Sequence, residues 1–131
     1  MNMKKLLATT FLFLACFAAN AEWTTLIRGV DDNDSVDIDR STFKRDAGVV
    51  KLWTRWDYST DEYFDSKKYR STVTLVEINC KEDMARTPYA TLYSGQKGEG
   101  RQVGVVSQMD SGFHPIPPQT SMRMLAKWAC Q

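Results

Sequence analysis

The sequence predicts an α+β domain: an antiparallel sheet of five or six strands carrying one C-terminal helix and held by one disulfide. Three observations predict it. Residues 49–58 and 69–80 alternate side-chain character with the two-residue period of a pleated strand, Gly- and Asp-rich turn signals separate shorter apolar runs, and a helix signature follows Pro117-Pro118.

The domain is expected to occupy residues 22–131. Lys4 and Lys5 precede an apolar run from Leu6 to Ala19 that ends in Ala19-Asn20-Ala21, the pattern of a secretory signal peptide (1–21) cleaved after Ala21. Lipidation at Cys16 is the less favoured route, since Leu14 stands where a lipidation signal needs a small residue. The run is shorter than the roughly 20 residues a membrane helix needs, and no later segment is apolar enough to make a stable membrane span. Of 131 residues, 17 are Lys or Arg and 16 are Asp or Glu; without Lys4 and Lys5 the balance becomes 15 to 16. A net charge so near zero argues against nucleic acid as a partner and leaves recognition to local patches.

Two cysteines remain beyond the leader, Cys80 and Cys130, and an even count in an exported chain predicts one disulfide. Closing a loop of about 50 residues contributes ~4 kcal/mol by chain entropy. A redox pair would instead place the thiols in a Cys-x-x-Cys motif, which is absent.

Along the chain, Glu22 to Arg28 suits a first strand that Gly29 and the following Asp/Asn run terminate. Val36 and Ile38 alternate with Asp37 and Asp39 in a short second strand. Ser41 to Gly48 reads as a polar turn region with room for a helical turn. Val49 to Tyr58 carries Val50, Leu52, Trp56 and Tyr58 on one face and Lys51, Trp53 and Arg55 on the other. Ser59 to Lys68 is charged and reads as an exposed connection. Tyr69 to Cys80 places Thr72, Thr74, Val76, Ile78 and Cys80 on one face and Ser71, Val73, Leu75 and Glu77 on the other. A disulfide-bonded Cys80 points inward, so Val73 and Leu75 face away from the helix. Thr87 to Ser94, interrupted by Pro88, and Gln102 to Met109 complete the strands; Gly95 to Gly100 is a flexible turn and Asp110 to Pro118 is irregular. Thr120 or Ser121 caps a helix to about Cys130, with Leu125, Trp128 and Ala129 on one stripe.

No catalytic residues and no metal site are expected. The acidic run from Asp31 resembles a calcium loop, but the required Gly falls on Val36 and the bidentate Glu on Thr42, so a solvated turn explains it better. His114, the sole histidine, has no nucleophile or metal-binding motif with it, and the glycines at 95, 98 and 100 are followed by no helix to cradle phosphate. The cations are more informative. Lys67, Lys68 and Arg70 surround Tyr69, while Lys51 and Arg55 flank Trp53, and Trp, Tyr and Arg dominate binding hot spots. Trp53, Val73 and Leu75 then form an apolar patch opposite the helix, which is either an interface or a core covered by the chain's own connections.

These residues resemble a known family, the surface-adhesin protein E family of Gram-negative bacteria. The resemblance runs through Val36-Asp37-Ile38-Asp39 with Ser41, the strand ending at Trp53, Lys67-Lys68-Tyr69-Arg70-Ser71, Ile78-Asn79-Cys80, Tyr93 with Gly95, and Pro118 to Cys130. It implies a PAS-like antiparallel sheet with a helix, a Cys80–Cys130 bond and a homodimer; no cofactor is expected. It also implies a non-enzymatic protein that binds host matrix glycoproteins (vitronectin, laminin, plasminogen), with Lys67 and Lys68 at the matching positions and Arg70 as a third cation. The alternative is a periplasmic structural or accessory protein whose partner is another envelope component, so localisation is expected as exported, periplasmic or at the cell surface.

Overall fold

The computed structural model describes residues 21–29 and 34–131. The expected leader, apart from Ala21, and residues 31–33 of the acidic run lie outside the described residues. The strands are β1 (Trp23–Arg28), β2 (Ser35–Asp39), β3 (Lys44–Asp46), β4 (Val49–Phe64), β5 (Lys67–Asn79), β6 (Met84–Tyr93), β7 (Gln102–Ser107) and β8 (His114–Pro115), followed by helix α1 (Ser121–Ala129). All pairings are antiparallel, in the order β1-β2-β4-β5-β6-β7, with β3 beside β4 and β8 beside β6.

The sheet therefore has eight strands rather than five or six. Two additions are invisible to hydrophobic patterning. β3 is exposed at all three residues and pairs with Val49 to Lys51 through a tight turn at Ala47 and Gly48, whose φ values of 48° and 80° give the mirror-image turn that suits strand twist. β8 has two exposed residues within the segment expected to be irregular. The segment 59–68 is likewise no open connection. β4 and β5 both run into it and meet at a turn on Asp65 and Ser66, at φ 47° and 63°. The ladder resumes there as Glu62↔Tyr69, Tyr63↔Lys68 and Phe64↔Lys67 after a bulge that begins at Asp57. One side of this arm is held by Lys68 and Arg70 on Asp61, and the other by aromatic contacts, Tyr69 edge-on to Tyr58 and Phe64 on Gly104.

Pro88 does not interrupt β6, which begins at Met84 instead of Thr87. Pro88 falls where the register shifts between Leu75↔Tyr89 and Glu77↔Arg86, so its missing N–H disrupts no ladder bond, and its carbonyl accepts from the Gln108 N–H at 2.8 Å.

One face of the sheet is the core. Ile38, Val50, Leu52, Val76 and Ile78 are fully buried beneath Leu125, Ala126 and Ala129 of α1, with Ile27, Val36 and Ile116 at the margins. The helix starts where the cap was expected, Thr120 Oγ1 accepting from the Arg123 N–H at 3.2 Å, and Cys130 closes its last turn. Trp128 is less central than its stripe position suggested. It is half-buried at the rim, edge-on to Phe43 at 5.7 Å.

The helix is tied to the sheet at both ends. The Cys80–Cys130 disulfide joins the end of β5 to the end of α1, and the Arg45 guanidinium donates to the Ala129 carbonyl at 2.6 Å. At the other end, the Arg123 guanidinium grips the Asp83 carboxylate and donates to the Ile116 carbonyl.

Two predictions follow from this packing. Replacing both cysteines by alanine should lower stability by about 2–5 kcal/mol, read from urea unfolding of the oxidised wild type beside the variant; an unshifted midpoint would show that the bond does not restrain the helix. Leu125→Ala should cost about 2–5 kcal/mol in the same assay, because the vacated volume lies under a helix that the disulfide prevents from sliding inward.

Candidate functional site

The six candidate binding residues fall into three settings. Lys67 and Lys68 open β5 at the tip of the β4–β5 arm. With Arg101, Ser94, Gln102 and Val103 they line a cleft of about 410 Å³. Among the described residues Lys67 forms no ion pair, and Lys68 is only loosely held by Asp61 at 3.5 Å with 56% of its side chain exposed. Arg101 enters the cluster because β7 returns beside the arm, and its position is set by hydrogen bonds between Ser94 and Arg101.

Arg70 has a different role from its neighbours. Its guanidinium donates to the carbonyls of Tyr58 and Ser59 at 3.1 and 2.9 Å and meets Asp61 at 3.3 Å. These carbonyls belong to the β4 bulge, where the register shifts between Asp57 and Glu62, and the Tyr58 carbonyl also accepts from Gln96 Nε2 at 3.2 Å. Arg70 therefore holds the bend of the arm.

Arg55 is also engaged internally. It donates through Nε and Nη2 to Asp37 Oδ2 at 3.1 and 2.6 Å, donates to the Lys97 carbonyl at 3.2 Å, and lies over the Trp23 ring at 4.7 Å. Asp37, which alternates with Val36 and Ile38 along β2, is only 2% exposed. It is buried because residues 94–101 fold back over this side of the sheet. Lys97 Nζ bridges Asp37 and Asp57 at 3.1 and 3.0 Å, and its backbone N–H donates to Asp57 Oδ1 at 2.5 Å. Ser71 Oγ donates to the Gly95 carbonyl at 2.6 Å and accepts from the Gly98 N–H at 2.9 Å. The glycine turn expected to be flexible is thus a strap fastened at several points. Gly98 is required there: its φ is +69°, and a Cβ would come within 3.2 Å of Val73.

Lys51 and Trp53 form the third setting, at the opposite end of the β4–β5 ladder from Lys67. Trp53 stands edge-on to Tyr89 at 6.0 Å, and Leu75 between their strands is buried. Lys51 reaches Glu77 at 3.9 Å, and Glu77 is bound more closely by Arg86 at 2.7 Å. A cleft of about 260 Å³ remains here, between Trp53, Leu75 and the turn at Ser41-Thr42. Of the two readings of the second face, cover by the chain's own connection accounts for the half under the strap, while the Trp53 half stays partly open.

Burial alone would raise the Asp37 carboxyl pKa, but hydrogen bonds from Arg55, Thr25 and Lys97 outweigh it and hold the group below its ordinary range. Lys97 is displaced the other way. Partial burial lowers its pKa, and its contacts with Asp57 and Asp37 more than reverse that. Among the described residues no group of His, Cys, Asp and Glu is placed to hold a metal ion, and no helix is long and apolar enough to cross a membrane.

A disulfide-tied antiparallel sheet that presents charged and aromatic clefts defines a class of small binding domains. Within that class, the chain belongs to the surface-adhesin protein E family, whose model matches residues 23–131. Three solved structures of Haemophilus influenzae protein E share the fold. One aligns with a TM-score of 0.54 at 19% identity, covering 79% of this chain and 82% of that one. A second crystal form gives 0.57 at 18%, covering 79% and 85%. The protein from a non-typeable strain gives 0.53 at 17%, covering 81% and 74%. No curated protein matches the chain. Family membership points to a non-enzymatic, adhesin-like exported or surface protein.

The strap makes a pH-dependent prediction. Asp37→Asn should destabilise the protein by about 1–3 kcal/mol at pH 7. Because the folded pKa of Asp37 is depressed, its contribution is fully present above the unfolded value of about 3.9 and is lost as pH falls through the lower folded value. Urea unfolding at pH 7 and at pH 3 should show the wild-type advantage at the first and its decline at the second; a gap that persists unchanged in acid would contradict the ion-pair account.

Proposed function

We propose that the chain is an exported, non-enzymatic binding protein that engages a protein partner through the cleft of Lys67, Lys68 and Arg101. The observation that carries this reading is the exposed charge of this cleft: Lys67 forms no ion pair among the described residues and Lys68 meets only the exposed Asp61 at 3.5 Å, whereas Arg55 and Arg70 are bound at several points to groups of the chain itself. Cations at a solvated rim act chiefly through electrostatic steering and specificity, so the partner surface is acidic and the interaction weakens with salt. Host matrix glycoproteins, with vitronectin first, then laminin and plasminogen, are the partners that the family resemblance brings forward.

A second reading, a periplasmic accessory protein bound to another envelope component, draws support from Leu14, which disfavours a lipid anchor at Cys16. Protease treatment of intact cells separates the two. Digestion of the protein on whole cells supports surface display, whereas protection until the outer membrane is opened supports the periplasmic reading.

The cleft itself is tested by solid-phase vitronectin binding of the Lys67→Ala/Lys68→Ala/Arg101→Ala protein. Affinity should fall roughly tenfold, and wild-type binding should weaken as salt is raised. Equal binding by variant and wild type would remove the cleft from the interaction.

A further inference from the structure

On the helix-bearing side of the sheet, α1 covers only one end. Nine residues span about 13 Å, and beneath them lie Val50, Leu52, Val76 and Ile78; the strands continue well past this cover. At the uncovered end is a groove of about 390 Å³ between Met122 of the helix and Phe64 of the arm. The β4 bulge creates it by turning the arm back over the sheet. Phe64 comes to rest on Gly104 of β7, where a Cβ would be 3.2 Å from its ring.

The groove's walls are aromatic. Trp56, Tyr58, Phe64 and Tyr69 line it, with Tyr58 and Tyr69 edge-on at 5.8 Å. Its floor carries the Thr72 and Thr74 hydroxyls, 3.1 Å apart; beneath it the buried Thr54 hydroxyl donates to the Thr74 carbonyl at 2.9 Å and accepts from Trp56 Nε1 at 2.8 Å, which holds the Trp56 wall in place. The Tyr58 phenol joins this set through Thr72, and burial pushes its pKa up, so it stays neutral. These bonds fix the side chains before any ligand arrives.

The lining's charge selects the occupant. None of the twelve lining residues is ionised at neutral pH, in a chain where 25% of residues are charged. A charged ligand would lose its hydration there with nothing in return, whereas ring edges and faces complement the walls. The volume falls at the low end of the about 300–1,000 Å³ usual for small-molecule sites. We propose that this groove is a binding site for a neutral, ring-containing small molecule, separate from the cationic cleft.

The test uses two fluorescent probes with the same ring skeleton: neutral N-phenyl-1-naphthylamine and anionic 8-anilinonaphthalene-1-sulfonate. The folded protein should bind the neutral probe with micromolar affinity and the sulfonate at least about tenfold more weakly. Ala90→Phe, which fills the floor, should abolish binding of the neutral probe while Lys67→Ala/Lys68→Ala leaves it intact, so this site and the cationic cleft fail independently. If Ala90→Phe disturbs the fold, Phe64→Ala removes one wall instead and should weaken binding roughly tenfold. Absence of binding by the wild type, preference for the sulfonate, or indifference to both groove variants would each overturn the proposal.

Discussion

The continuous ladder between β4 and β5 is the constraint on which the rest of the molecule depends. From Val49↔Asn79 to Asp57↔Ser71 it is unbroken, and the two-residue period makes it a plate with two unlike faces. The face that begins with Val50, Leu52, Val76 and Ile78 is apolar at that end, where the helix covers it, and turns to threonines at Thr54, Thr72 and Thr74. The face of Arg55, Asp57, Ser71 and Val73 is mixed, and it acquires a cover because the strap supplies Lys97 for the carboxylates and the Gly95 carbonyl and Gly98 N–H for the Ser71 hydroxyl. Past Asp57 the ladder bulges, and that single irregularity turns the arm so that one of its sides bounds the aromatic groove and the other presents Lys67 and Lys68.

Buried charge on the strap side illustrates how stability and specificity divide. Asp37 and Asp57 are removed from water, a costly step that is offset only because Arg55, Lys97 and backbone donors surround them. Replacing such a set by apolar residues could give comparable stability, but it would not dictate where residues 94–101 lie. The ion pairs fix the strap's position. They also fix which cations of the chain remain available, since Arg55 and Lys97 are consumed in the process.

Family membership and fold agree with a binding role, and three of the concavities among the described residues differ in their chemistry. The cleft at Lys67 is cationic, the one at Trp53 is mixed, and the groove at Trp56 is uncharged. Placing them on different faces and ends of one ladder allows each to take a different partner without competition.

Much of the architecture was legible in the sequence, for a local reason. Val49 to Tyr58 and Tyr69 to Cys80 follow the strand period, Thr120 stands three residues before the Arg123 N–H that it caps, and an even cysteine count anticipated the bond that fastens α1. Strands without a regular apolar period were not legible: Lys44–Asp46 is exposed throughout and held by its turn, and in the arm beyond Asp57 the bulge breaks the alternation that would have shown Tyr58, Phe64 and Tyr69 on one side. The cationic cluster was half legible, because Lys67 and Lys68 are neighbours in sequence while Arg101 reaches them only through the return of β7. The sequence by itself determined the fold class, the helix, the disulfide and the supply of charged and aromatic groups, since each depends on local pattern or count. Only the tertiary structure decided that Arg55 and Arg70 are internal supports and that Trp56, Tyr58 and Phe64 bound a groove, because those roles depend on which distant carbonyls, carboxylates and rings the bulge and the strap bring into contact.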